Sequence, residues 1–549
     1  MSRLPKKVGI LLFSVVIFLK CSDEVMVRVP DISIVPRPQF IEQSEDVFFI
    51  KKRTKIIIVP KSDNLVQVSN HLAEKLRTVT GYRLPVLQKS KPTRKRNAIY
   101  LIIDTSLSDL GDEGYIFEST EKSVTISAIG KAGIFYGIQT LYQLLPPLIG
   151  SLDSHIDSLW YVPCVTIKDK PRFSWRGMHL DVGRHFFPVS FIKKYIDLLA
   201  MYKLNTFHWH LTEDQGWRIE IKQYPRLTEF GSKRNETNGD GQLYSGFYTQ
   251  DEIREVVAYA EERFVRVVPE IEMPGHSRAA VASYPELSCT GGPFKVGSNW
   301  GIYKDVYCAG NEKTFEFLQN ILLEVFELFP GEFVHIGGDE CPKNRWKQCP
   351  KCQKRIREEG LKNEKELQSY FTKRMAQFIH AHGKRLIGWD EILEGGLAPD
   401  AAVMSWRGMD GGIEAARLGH DVVMSPTSHC YFDYYQSENK EEEPKAFNRF
   451  LPLETVYAFE PVPEILSEDK SKHILGAQAN MWTEYMDSEK HVEYMLFPRM
   501  CALSEVVWSG KENRDFEDFN KRMEDHYIRF KIKNVNFRSP KNPQAINSR

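Results

Sequence analysis

The chain reads as a (β/α)8 TIM barrel preceded by a small α+β domain, and three observations carry that reading. From Pro171 onward, short apolar strands alternate with helical patterns eight times. No GxGxxG follows any of these strands, as a dinucleotide-binding, doubly wound open sheet would show. Carboxylates, tryptophans and one arginine gather where the strands end, which is where a barrel carries its site. An open doubly wound sheet is the alternative architecture.

The elements follow in order. Residues 1–21 read as a signal peptide: Arg3, Lys6 and Lys7 precede a short apolar run that ends at Leu19, too short to span a bilayer comfortably. A short N-terminal anchor is the other reading. Cys21 stands where a bacterial lipoprotein would be cleaved and lipidated, although Lys20 replaces the small residue usual before it. Export follows, to a periplasmic, outer-membrane-anchored or secreted destination. Residues 33–165 mix strands KIIIV (55–59), AIYLII (98–103) and SVTISA (123–128) with two helices. One starts at 65 and stops at Gly81; the other starts at 133 and stops at Pro146. Barrel strands are predicted within 171–510 at 177–182, 206–211, 265–273, 333–338, 385–391, 402–406, 421–426 and 474–482, with helices at 191–204, 250–263 and 313–329 between them. The tail, 511–549, reads as a polar, partly helical appendage.

Composition narrows the partner. At 549 residues and 42% apolar, the chain can bury two cores. Lys plus Arg equal Asp plus Glu at 73 each, so there is no global field to attract nucleic acid. No later segment is apolar enough to span a membrane. Oligomeric state is not readable. Nine cysteines are too few for a disulfide scaffold at this length. Cys289 with Cys308, and two of Cys341, Cys349 and Cys352, are close enough in sequence to pair after export. CPKC at 349–352 hints at zinc, but no second CxxC or HxxxH accompanies it. The sequence thus predicts no metal.

The strand ends carry Asp181 and Arg184; His210, Glu213 and Asp214; Glu270, Glu272 and His276; Asp339 and Glu340; Trp389, Asp390 and Glu391; Trp406; Tyr431 and Asp433; Trp482 and Glu484. Singly, each is more often a solvated turn or core residue than a functional one. Together they describe a pocket for a neutral, hydroxylated ring, with aromatic faces for its C–H surfaces and acids for its hydroxyls.

The motifs WRGMHLDVGRHFFP, KLNTFHWHLTEDQGWRIEI, VVPEIEMPGHSRAA, FVHIGGDE, IGWDEIL, VMSWRG and GAQANMWTEYMD closely resemble, in order, those of glycoside hydrolase family 20, the β-N-acetylhexosaminidases. The resemblance covers nearly all of 33–510. It implies exo-removal of terminal β-linked N-acetylglucosamine or N-acetylgalactosamine from glycans, without metal or organic cofactor. An exo-enzyme releasing a disaccharide such as lacto-N-biose, and a sugar-binding protein that has lost catalysis, are the rival readings.

Within that resemblance Glu340 is the proton donor, which must keep its proton near neutral pH; an adjacent carboxylate and aromatic lining favour this. Asp339 holds the N–H of the substrate's 2-acetamido group, whose oxygen is the nucleophile. Gly337 and Gly338 free the strand end so that both acids face the pocket. Arg184 binds ring hydroxyls with Glu484 assisting, Trp389, Trp406 and Trp482 wall the pocket, and Tyr431 donates to the acetamide oxygen. His276 with Glu213 supports Glu340. Glu213 stands where many members have Asp, and Asp433 where some have Asn.

Overall fold

The computed structural model describes residues 31–91, 96–147 and 160–540. The predicted signal peptide and Cys21 lie outside them. Seven strands form the N-terminal sheet: β1 (Phe40–Phe49), β2 (Lys55–Val59), β3 (Val86–Gln88), β4 (Ala98–Ile103), β5 (Tyr115–Thr120), β6 (Ser123–Ala128) and β7 (Tyr161–Asp169). Their order is β1-β7-β5-β6-β4-β2-β3. Side chains alternate across a strand. Ile56, Ile58, Ile99 and Leu101 therefore enter the main core with helices α1 (Val66–Thr80) and α2 (Lys131–Leu144), while Ile57, Val59 and Tyr100 form a smaller cluster. α1 stops where Gly81 turns left-handed at φ 66°, as its missing Cβ permits.

Eight parallel strands then close a barrel: β8 (Trp175–Asp181), β9 (Thr206–His210), β10 (Arg266–Glu270), β11 (Phe333–His335), β12 (Arg385–Trp389), β13 (Ala402–Ser405), β14 (Val422–Met424) and β15 (Ile474–Ala479). Each overlaps a stretch that the sequence predicts, β8 starting two residues early, and so do the helices Val189–Met201, Gln250–Glu261 and Glu312–Leu328, the first starting two residues and the last one residue early. Capping explains one start: Thr249 and Glu252 form a reciprocal capping box ahead of Gln250. Barrel register matters most for function. Asp181 pairs with His210, His210 with Glu270, and Glu270 with His335, so four polar residues share one level at the carboxyl ends.

Buried ion pairs weld the sheet to the barrel. Arg176 on β8 grips Glu113 at 2.7 and 2.8 Å, and Lys203 meets Asp169 at 3.0 Å. The tail is no loose appendage. Its helix Phe516–Ile532 buries Phe519, Met523 and Phe530, pairs Arg522 with Glu505, and sends Arg522, His526 and Arg529 to carbonyls of Ile34, Ser33 and Leu145. Among the described residues no helix is long and apolar enough to cross a membrane.

Candidate active site

The acids Asp339 and Glu340 stand beyond β11, which ends at His335, on a turn with left-handed Gly337, Gly338 and Glu340 (φ 66°, 96° and 43°). Glycine is required at 337 for a second reason: a Cβ there would lie 1.8 Å from Glu272 Oε2. The turn therefore folds over a buried carboxylate. It leaves both acids on one side, within reach of a single imidazole nitrogen: His276 Nε2 lies 3.5 Å from Asp339 Oδ2 and 3.6 Å from Glu340 Oε2. Asp339 is 13% exposed and Glu340 39%, so Glu340 is the acid at the open edge.

On its other side His276 meets Glu213 Oε1 at 2.8 Å and Asp214 Oδ2 at 3.2 Å through Nδ1. Burial alone would lower its pKa, but Glu213 and Asp339 outweigh that and hold it well above the ordinary value. His276 thus lies between two pairs of acids, a setting that favours its protonated form. Glu213 does more than the sequence assigns to it: its Oε2 lies 3.1 Å from Arg184 Nη1 and 3.2 Å from His210 Nε2. One side chain therefore joins the arginine to the histidine behind the acids.

Burial and the charges of Glu270 and Glu340, against the pull of His276, push Asp339 up to about 6. Its Oδ1 is buried without a protein hydrogen-bond partner. Burial and then Asp339 push Glu272 well up. The same two causes bring Glu391 to about 8, and its Oε2 accepts from Trp406 Nε1 at 2.9 Å.

The remaining predicted residues share the mouth. Arg184 stacks over Trp482, 5.0 Å from guanidinium carbon to ring centre, and lies 4.0 Å from Glu484. Trp389 is 5.9 Å from Trp482 but almost fully buried, its Nε1 donating to Glu270 Oε1 at 2.9 Å, so it forms the floor of the pocket. Trp406 and Tyr431 stack at 6.1 Å and 26°. Burial and Glu484 hold Asp433 well above the usual carboxylate range, and its Oδ1 has no protein partner.

Some residues have roles that the sequence does not show. Asp214, Glu272 and Glu391 read there only as strand-end acids. His179, His208 and His335 go unmarked, yet they line the barrel beneath the site. His208 and His335 lie 3.1 and 2.7 Å from Glu270, and His179 lies 3.8 Å away. The available signal was histidine at inward positions of otherwise apolar strands.

Residues 173–511 match the model of glycosyl hydrolase family 20, catalytic domain, and 31–170 match that of glycosyl hydrolase family 20, domain 2. The chain is 48% identical over 528 residues to a beta-hexosaminidase of Porphyromonas gingivalis, covering 95% of this chain and 67% of that one. It superposes on an exo beta-N-acetylglucosaminidase of Vibrio harveyi, solved with N-acetylglucosamine, at TM-score 0.83 and 33% identity, covering 93% of this chain and 79% of that one. A beta-N-acetylhexosaminidase of Streptomyces coelicolor superposes at TM-score 0.82 and 31% identity, covering 93% and 98%. With both domains matched across nearly the whole described length and the barrel mouth built as above, the chain belongs to glycosyl hydrolase family 20.

Proposed function

We propose that the protein is an exo-acting β-N-acetylhexosaminidase that removes terminal, non-reducing β-linked N-acetylglucosamine or N-acetylgalactosamine by substrate-assisted, retaining hydrolysis. One observation carries the mechanism. Asp339 and Glu340 are a single peptide apart and both reach His276 Nε2, so they cannot flank opposite faces of a sugar ring as two carboxyls do in a conventional double displacement.

In this reading the 2-acetamido oxygen attacks the anomeric carbon while Glu340 gives its proton to the departing glycosidic oxygen. The C1–O bond breaks and a cyclic oxazolinium forms, with Asp339 accepting the acetamide N–H and balancing the positive charge. Water then adds to the anomeric carbon from the vacated face, Glu340 takes its proton, and the ring reopens to the β-hemiacetal. Two inversions give net retention. Arg184, fixed by Glu213 and Trp482, is the donor for the ring hydroxyls. Trp389, Trp406, Trp482 and Tyr431 enclose the acetamide.

The test is a substrate panel of aryl β-N-acetylglucosaminide, β-N-acetylgalactosaminide and β-lacto-N-bioside. Release from one or both monosaccharides with an inert bioside supports the reading. Release of the disaccharide alone would replace it with the lacto-N-biosidase reading.

A further inference from the structure

Four cysteines converge beside the site. Cys289 and Cys308 flank the bridge between Ser288 and Tyr307, in the long loop after β10. Cys349 and Cys352 occupy the start of the helix Pro350–Glu358, in the loop after β11. Their sulfurs all lie within 4.8 Å of one another, with Cys289–Cys352 at 3.8 Å, Cys308–Cys349 at 3.7 Å and Cys308–Cys352 at 3.6 Å. A disulfide requires about 2.05 Å. A tetrahedral zinc with Zn–S bonds of about 2.3 Å sets its sulfurs about 3.8 Å apart. The cluster has the zinc spacing.

The surrounding backbone is built for close approach. A Cβ on Gly310 would lie 2.2 and 2.4 Å from backbone atoms of Lys351 and Cys352, so only glycine lets the Cys308 loop reach the helix start. Cys308, Cys349 and Cys352 are buried, and Cys289 is half-buried. Cys341, in the same sequence trio as Cys349 and Cys352, is not one of the four.

We propose that Cys289, Cys308, Cys349 and Cys352 bind one structural Zn(II). Binding displaces the four thiol protons and leaves no open coordination position, so the ion has no part in hydrolysis. The proposal departs from both the metal-free reading of the sequence and the pairing of Cys289 with Cys308, whose thiols are free in this structure. The ion staples the loop carrying His276 to the loop carrying Asp339 and Glu340. Asp305 ties the same loops, accepting from Arg278 at 2.6 Å and Arg345 at 2.8 Å.

The test uses the full-length protein purified by its own export route, without reductant. Elemental analysis after dialysis is expected to find one zinc per chain, and X-ray absorption at the zinc edge four sulfur neighbours. Denaturation with EDTA, then alkylation and peptide mass spectrometry, is expected to label all four cysteines without prior reduction. Cobalt exchanged into the unmutated protein is expected to show the absorption of a tetrahedral thiolate site, a readout that does not depend on any variant folding. Disulfide-linked peptides among the four, zinc with nitrogen or oxygen neighbours, or four free thiols without metal after zinc supplementation would each overturn the proposal.

Discussion

At the scale of single residues, the two adjacent acids make different predictions. Glu340→Gln should cost roughly 10²- to 10⁴-fold in kcat/KM on natural oligosaccharides and little on a substrate whose aryl leaving group needs no proton. Equal losses on both would remove Glu340 from the acid's role. Asp339→Asn should slow both substrate classes, because in the proposed mechanism Asp339 acts on the acetamide. With its pKa at about 6, the wild-type kcat/KM should rise with pH through an acid limb near that value, as the carboxylate forms. Stability runs the opposite way. Asp339 has a folded pKa raised above its unfolded value, so its contribution is fully present below about pH 4 and is lost as pH rises through about 6. Asp339→Asn should therefore raise the unfolding free energy at pH 8, by up to about 3 kcal/mol, and leave it unchanged near pH 3.5 in denaturant melts. Arg184→Lys should weaken substrate binding despite keeping the charge, since lysine lacks the planar fork that spans two hydroxyls; unchanged kinetics would take Arg184 out of the site.

At the scale of elements, the turn after β11 is what makes adjacent acids useful. Gly337→Ala should place a methyl into the Glu272 carboxylate and displace both acids, lowering activity by at least about 100-fold, the cost of roughly 1 Å of misplacement. Gly383→Ala is the control. It carries the same left-handed strain, φ 73°, in open space, so it should cost about 1 kcal/mol of stability and no activity. Steady-state kinetics with denaturant melts on both variants distinguish steric displacement from strain. The strands themselves were legible because short apolar runs end in polar residues and alternate with helical patterns. The acid pair was legible because HIGGDE lies within one motif. What the sequence hides depends on distances across elements: Glu272 beneath Gly337, Glu213 reaching both Arg184 and His276, and the histidine layer set by register. The cysteine cluster was hidden because Cys289 and Cys308, 19 positions apart, read only as a disulfide candidate and meet CPKC only through tertiary packing.

At the scale of the whole molecule, the tail helix, the N-terminal sheet and the barrel form one body joined by buried ion pairs. Arg522→Ala leaves the buried Glu505 without its partner, and should destabilise the chain by roughly 3–5 kcal/mol while leaving kcat/KM per folded molecule unchanged. A melt that shows no shift would mean that the helix is dispensable. In the proposed mechanism, all of this scaffolding holds two acids on one side of a pocket whose nucleophile arrives with the substrate. The most direct test is a series of aryl β-N-acetylglucosaminides whose acetyl methyl carries no, one, two or three fluorines, each fluorine weakening the acetamide oxygen as a nucleophile. The account predicts that kcat/KM falls steeply along the series. A flat series, accompanied by a glycosyl ester trapped on any Asp or Glu with a 2-fluoro sugar, would contradict it.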